Sequence, residues 1–438
     1  MDSILHSDDL TRRRFMNYTS KALLGVTVLP GISLSAFGAD VKKGESKVIS
    51  APTAAPGKKP TARNIIYLYM SGGMTHLDTF DPKPGTDEAG GVKAIPTAVD
   101  GTMVSEYFPL LAKEWNKVCA INGLTTTQGA HEQGNYFMHS SYTMRGTITH
   151  PGLGAWMQRL EGKTNRTLPG SVLVGGGAVG GGAGFMESKY APLHIGSPTE
   201  GVKNSRAMVG TSQFDDRLML AKKFDEAFHG RYDNKKVRAY KDMYDDAVRL
   251  MRSEDLKAFD LGQEDPKVRA EYGENGFGQG CLLARRLIEN DVRHVEVTLG
   301  GWDTHANNFT AVSNMSKNLD QALSTLLRDL ERRGMIEETL VVLTTEFGRT
   351  PEINETDGRD HFPKAFSGLI CGGSVKPGHY GKTNEQGTEV VEGKLGVPDF
   401  NATIAYGLGL PLDEIIYSPS KRPFQVADKG KPATEVFA

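Results

Sequence analysis

Six short, unbroken apolar runs constrain what this chain can fold into: 64–70 (NIIYLYM), 117–121 (KVCAI), 171–175 (SVLVG), 293–299 (RHVEVTL), 339–345 (TLVVLTT) and 367–371 (SGLIC). Runs that do not alternate polar with apolar residues suit strands buried on both faces, as parallel strands are. Between them lie stretches with helical spacing, at 108–116, 153–162, 278–291 and 315–334. In the last of these, Leu319, Leu323, Leu326, Leu327 and Leu330 share one face, and Gly334 supplies a C-terminal stop. Buried strands alternating with amphipathic helices predict an α/β three-layer sandwich on a mostly parallel central sheet. With 438 residues and 38% hydrophobic content, the chain is long enough to bury such a core. Residues 205–275 are rich in charge and hold no strand candidate, so they read as a helical insertion in a domain spanning 63–438.

In open parallel sheets, ligands bind outside the carboxyl ends of the strands. The first run is followed by SGGMTHLD, ending at Asp78, and the second by TTTQGAHEQGNYFMHSS, which contains Thr127, His131 and Glu132. The fourth leads into GGWDTHANN, the fifth into Glu346-Phe347-Gly348-Arg349, and GRDHFP comes shortly after. Five of the 11 histidines, His76, His131, His139, His305 and His361, fall in these segments. Asp303 and His305, two apart in extended backbone, project to one side about 6–7 Å apart, close enough to chelate one divalent cation. The competing reading is a hydrogen-bonded loop clasp.

Glu346 reads as a ligand or base, or as an ion-pair partner of Arg349. His361 reads as a ligand or a polar loop residue, and Asp78 as a further ligand or base. His139, on an apolar helix, reads as a packed histidine. Thr127, His131 and Glu132 stand where a helix opens, so one of them could attack or contact an anion there; simple capping by the threonines is the alternative. Arg349 offers paired donors that suit an anionic oxygen. The glycine-rich VGGGAVGGGAGF lacks a Walker lysine and reads as a flexible loop over the site.

A formal net charge of −2, from 51 basic and 53 acidic residues, gives no field that favours nucleic acid. Cys119, Cys281 and Cys371 show no metal-binding spacing and read as buried thiols. The N-terminus carries Thr11-Arg12-Arg13-Arg14-Phe15-Met16, a modest apolar segment from Ala22 to Phe37, and small residues at Ala36, Gly38 and Ala39. This pattern predicts a twin-arginine signal peptide over 1–39, too short and broken for a stable membrane span. A flexible linker over 40–62 follows, rich in Lys, Pro, Ala and Ser. The expected partner is the twin-arginine export machinery, and the expected location is periplasmic or extracellular.

The segments YLYMSGGMTHLDTFDPKPG, HEQGNYFMHSSYTMRG, LGGWDTHANN, LVVLTTEFGRTPEIN and DGRDHFPKAFSGLICGG, taken in order, resemble the DUF1501 family of exported bacterial proteins, a relative of the alkaline phosphatase and sulfatase superfamily. The resemblance covers about Asn64 to Leu410. It implies an alkaline phosphatase-like fold and metal-dependent hydrolysis of phosphate or sulfate esters, on an anionic small molecule or polysaccharide. Asp303, His305 and His361 resemble the ligands of one divalent metal ion, with Zn, Mn, Ca or Mg as candidates. Glu346-Phe347-Gly348 stands where the superfamily has an Asp-His-Gly turn, and Ser71 where it has a metal-binding Asp. A catalytically degenerate, envelope-associated binding or accessory protein is the alternative these departures imply.

Overall fold

The computed structural model describes residues 62–176, 181–232 and 235–438. The signal peptide expected over 1–39, all but the last residue of the expected linker, and residues 177–180 of the glycine-rich loop lie outside the described residues. Of the two units into which the chain divides, one holds the described residues of 202–238 and the other holds the remainder. Among the described residues the first holds the helix Thr211–Arg231 and the start of another, Lys235–Met251.

The larger unit is built on nine strands: β1 (Asn64–Ser71), β2 (Val118–Thr125), β3 (Ser171–Val174), β4 (Leu193–Ile195), β5 (His294–Gly300), β6 (Thr339–Thr344), β7 (Phe366–Gly372), β8 (Gly378–Tyr380) and β9 (Leu395–Gly396). Their order is β8-β2-β7-β6-β1-β5-β3-β4, with β9 also paired to β2. Each apolar run singled out in the sequence forms one of these strands. β1 lies at the centre, parallel to β5 on one side and to β6 on the other. β7 alone runs antiparallel to both neighbours, β2 and β6. The reason lies in the connection: the chain leaves β6 at Thr344 and enters β7 at Phe366 without a crossover helix, so it returns from the edge it left. An apolar run such as SGLIC carries no sign of its direction.

Helices cover the sheet as the period-3.6 segments predict. Ile65, Tyr67 and Tyr69 of β1 share a buried cluster with Phe137 and Met138 of α1 (His131–Ser140), Trp156 and Met157 of α2 (Leu153–Glu161), and Phe400 and Ile404 of α3 (Val397–Gly407). Leu68 points to the opposite face, in register with Val297 of β5. There α4 (Gly276–Glu289) comes so close that a side chain at Gly280 would meet Val297 at 2.7 Å. α5 (Asn308–Arg332) packs on α4 with Leu319, Leu323, Leu326 and Leu330 all fully buried. Full burial of each such side chain contributes roughly 1.5–3 kcal/mol. The helix expected at 108–116 is a 3-10 segment, Leu111–Lys117, that stops directly where β2 starts. Among the described residues no helix is long and apolar enough to cross a membrane.

Candidate metal centre

Parallel packing sends the ends of β1, β2, β5 and β6, and the start of the antiparallel β7, to one edge of the sheet. The loops at that edge approach one another closely. Gly72, just after β1, has a φ of 124°, and a Cβ there would lie 2.4 Å from the backbone nitrogen of Asp303. Only glycine fits such a left-handed position pressed against another backbone. Gly358 plays the same spatial part for a second loop, since its Cβ would sit 1.9 Å from the carbonyl oxygen of His305.

His131, the first residue of α1, directs Nδ1 at the Glu346 carboxylate, 2.8 Å away, and Nε2 toward Asp303, 3.3 Å away. His305 has Nδ1 on Asp360 at 2.6 Å and Nε2 at 3.2 Å from Asp303. His361, in a two-residue antiparallel ladder with Gly348–Arg349, has Nδ1 on the carbonyl of Gly129 at 2.8 Å and Nε2 at 3.5 Å from Asp303. The Nε2 atoms of His305 and His361 are only 3.1 Å apart.

These contacts fix the chemistry. A carbonyl oxygen only accepts, so His361 carries its hydrogen on Nδ1; the carboxylates of Asp360 and Glu346 select the same tautomer in His305 and His131. In their neutral forms, three imidazoles therefore turn bare Nε2 lone pairs toward one carboxylate. His131 Nε2 is buried and has no hydrogen-bond partner. Lone pairs held this close repel unless a proton or a cation lies among them. The ligand atoms of His131, Asp303 and His361 all lie within 4.8 Å of one another. Imidazole nitrogens and a carboxylate, each imidazole held from behind by an acceptor, form the donor set that divalent metals take.

The surroundings tune these groups. The hydrogen bond with Glu346 raises the His131 pKa above its ordinary value against the opposing effect of burial. Burial pushes Glu346 upward, but hydrogen bonds from His131, the backbone and Tyr69 outweigh it and hold the carboxyl low. Asp303 is likewise held low, because Arg349 and the nearby histidines outweigh burial. Burial lowers His361, which favours the neutral ligand form.

The structure does not bring every residue singled out in the sequence into this cluster. Asp78 was expected among the ligands; it is fully buried and instead takes both ends of the Arg359 guanidinium, at 2.9 Å each. Arg359 is itself fully buried and requires a counter-charge, which fixes where Asp78 points. Arg349 was expected to clamp an anion, but its side chain has no exposed surface and donates to Gly72, Gly73, Arg359 and Asp303. Glu346 is 1% exposed and stands behind His131. Thr127 is exposed and accepts from Gln128, and Glu132 is exposed in the first turn of α1. The threonines do not cap that helix: its N-cap is Ala130, with no side-chain cap bond. His139 is packed against Tyr69 and paired with the buried Glu296. Sequence reasoning passed over Asp360, which holds His305; its adjacency to His361 in RDHF was the available signal.

The family described as "Protein of unknown function (DUF1501)" matches residues 62–437. No curated protein matches the sequence. Among solved structures, the chain is similar to the lipoteichoic acid synthase LtaP from Listeria monocytogenes, at 9% identity and a TM-score of 0.40, over 81% of this chain and 74% of that one. It is also similar to the PsFucS1 sulfatase from Pseudoalteromonas sp., at 14% identity and a TM-score of 0.40, over 87% and 76% of the two chains. The C-terminal periplasmic domain of EcEptC from Escherichia coli, solved in complex with Zn, is a third, at 10% identity and a TM-score of 0.38, over 87% and 96%.

Proposed function

We propose, for a chain that belongs to the DUF1501 family, that His131, Asp303, His305 and His361 hold a divalent cation and that the protein is an exported, metal-dependent hydrolase of phosphate or sulfate esters. The observation that carries this reading is the convergence of three imidazole Nε2 lone pairs on the Asp303 carboxylate. Bound there, a divalent cation supplies Lewis-acid polarisation of an ester oxygen and a nucleophile from water near neutral pH.

The chain's own groups prepare that site. Glu346, Asp360 and the Gly129 carbonyl hold the three Nδ1–H groups and so fix which ring nitrogen faces inward. Asp303 stays ionised because Arg349 donates to it. The stretch from Thr127 to Glu132, exposed or half-buried, leads into the first turn of α1, whose N–H groups have no side-chain cap and are where an anionic substrate group would bind. Metal analysis of the purified exported protein tests the reading, together with a panel of phosphatase, phosphodiesterase and sulfatase substrates supplied with Zn, Mn, Ca or Mg. Bound metal and turnover that both vanish in Asp303→Ala are the expected result, and a metal-free, inactive protein under all four ions defeats it.

One observation favours a second reading, a catalytically degenerate binding or accessory protein: all three guanidinium nitrogens of Arg349 already donate to protein oxygens, and the side chain has no exposed surface to present to an ester anion. Robust turnover in the same panel excludes that reading.

A further inference from the structure

The buried pair beside the centre joins the two loops that carry its ligands. Asp78 accepts from Arg359 through both oxygens, and its Oδ2 accepts also from Asn308 Nδ2 at 2.7 Å. Asn308 in turn accepts from the Thr304 hydroxyl at 2.6 Å, and Thr304 lies between Asp303 and His305. Arg359 directly precedes Asp360 and His361 in the chain. Its remaining guanidinium hydrogens go to the carbonyls of Glu88, Thr350 and Pro351, so all five donors are satisfied. The backbone N–H of Arg359 bonds the Thr304 carbonyl at 3.0 Å, closing the circuit.

We infer that Asp78 is a positioning residue: through Asn308–Thr304 on one side and Arg359 on the other, it holds Asp303 and His305 in register with Asp360 and His361. The inference rests on the metal-centre reading for its purpose but on the hydrogen bonds alone for its mechanics. One carboxylate serves both loops because each approaches it with a side-chain donor, Asn308 Nδ2 from one and the Arg359 guanidinium from the other. Asp78 contributes from the loop after β1, the central strand, whose position the sheet fixes on both sides.

The test uses the full chain in two arms, Zn2+ titration of metal-stripped protein and hydrogen exchange without metal. In Asp78→Asn, Zn2+ affinity falls 10–100-fold, the range typical for loss of an outer-shell partner, and exchange rises together in 303–308 and 354–361. Asn308→Ala, a milder change that spares the Arg359 pair, loosens 303–308 more than 354–361. Asp329→Asn, an equally buried carboxylate remote from the centre, leaves both segments unchanged relative to the rest of the chain. Unchanged exchange in Asp78→Asn, a rise in one loop only, or a rise spread evenly over the molecule overturns the inference. If the parent protein binds no Zn2+, the titration is run with Mn2+, Ca2+ and Mg2+; if none of the four binds, the metal-centre reading fails by itself and the exchange arm still decides the positioning role. If Asp78→Asn does not fold, Asn308→Ala decides it through the same exchange pattern.

Discussion

Helix α5 has a cluster of ionisable side chains at each end, separated by roughly 36 Å for a helix of 25 residues. Near its C-terminus, Asp329 meets Arg285 at 2.9 Å, Arg332 and Arg333 at 3.0 Å each, and the Tyr272 hydroxyl, while Glu264 bridges Arg285 and Arg286. Every acid there faces a base. Beyond its N-terminus, the Nε2 atoms of His131, His305 and His361 instead face one another across Asp303. The first arrangement is electrostatically closed and its return is stability. The second is incomplete without a cation or a proton, and that incompleteness is what supports the proposed metal centre.

The largest effect expected from this contrast is loss of metal. Asp303→Ala removes the one carboxylate on which all three histidines converge, so bound metal falls below one tenth of the parent's in elemental analysis. Metal retained at parental levels would place the cation elsewhere and break the contrast. At the other end of α5, Asp329→Ala removes one of three carboxylate partners of the fully buried Arg285, leaving Glu264 and Glu289, and costs about 1–3 kcal/mol in denaturant unfolding. Metal content there stays at the parental level. A variant that lost both metal and stability would show the two ends to be one cooperative unit.

How much of this was open to the sequence differs between sheet and site. Continuous apolar runs report burial on both faces, so every main strand carrying such a run was legible; the reversed direction of β7 was not, because direction depends on the route of the preceding loop. Asp303, His305 and His361 could be picked out as polar groups at strand ends. The role of His131 could not be fixed, since it depends on Glu346, 215 positions away, holding the opposite ring nitrogen. Asp78 looked like a ligand for the same reason as Asp303, a carboxylate past a strand end. What separates them is Arg359, 281 positions away, which reaches one carboxylate and not the other.

Acid separates the two clusters in pH. His131 is raised above 6.5 by its bond to Glu346, so in the metal-free protein that pair stabilises the fold fully below 6.5 and its contribution is lost as pH rises through the raised value. The same protonation competes with a cation, whose apparent affinity therefore weakens as pH falls below that value. Burial pushes Asp329 and Glu264 upward, but Arg285 and the neighbouring arginines outweigh it and hold both carboxyls low. Their contribution is therefore present above their unfolded values near 4 and lost only as pH falls below them. Zinc affinity that weakens as pH falls below the raised His131 value, with circular dichroism unchanged until about pH 4, is the expected record. Release and unfolding at one common pH would collapse the distinction.

The smallest effect expected is the most discriminating. Glu346 accepts from Tyr69 and Thr345 at Oε2 and from Gly72 and His131 at Oε1. Glu346→Gln keeps this shape: the amide oxygen can still accept from Gly72 and His131, and its NH2 can donate to the Tyr69 or Thr345 hydroxyl. The His131 tautomer is thus preserved while the charge behind it is lost. Zinc affinity, measured by chelator competition, falls by about 10-fold, close to 1.4 kcal/mol. Glu346→Ala loses the tautomer as well, and its affinity falls toward 100-fold. Equal losses in the two variants would mean that the negative charge, rather than the orientation of His131, is what this buried carboxylate contributes. Parental affinity in both would remove His131 from the ligand set and leave Asp303 with His305 and His361 alone.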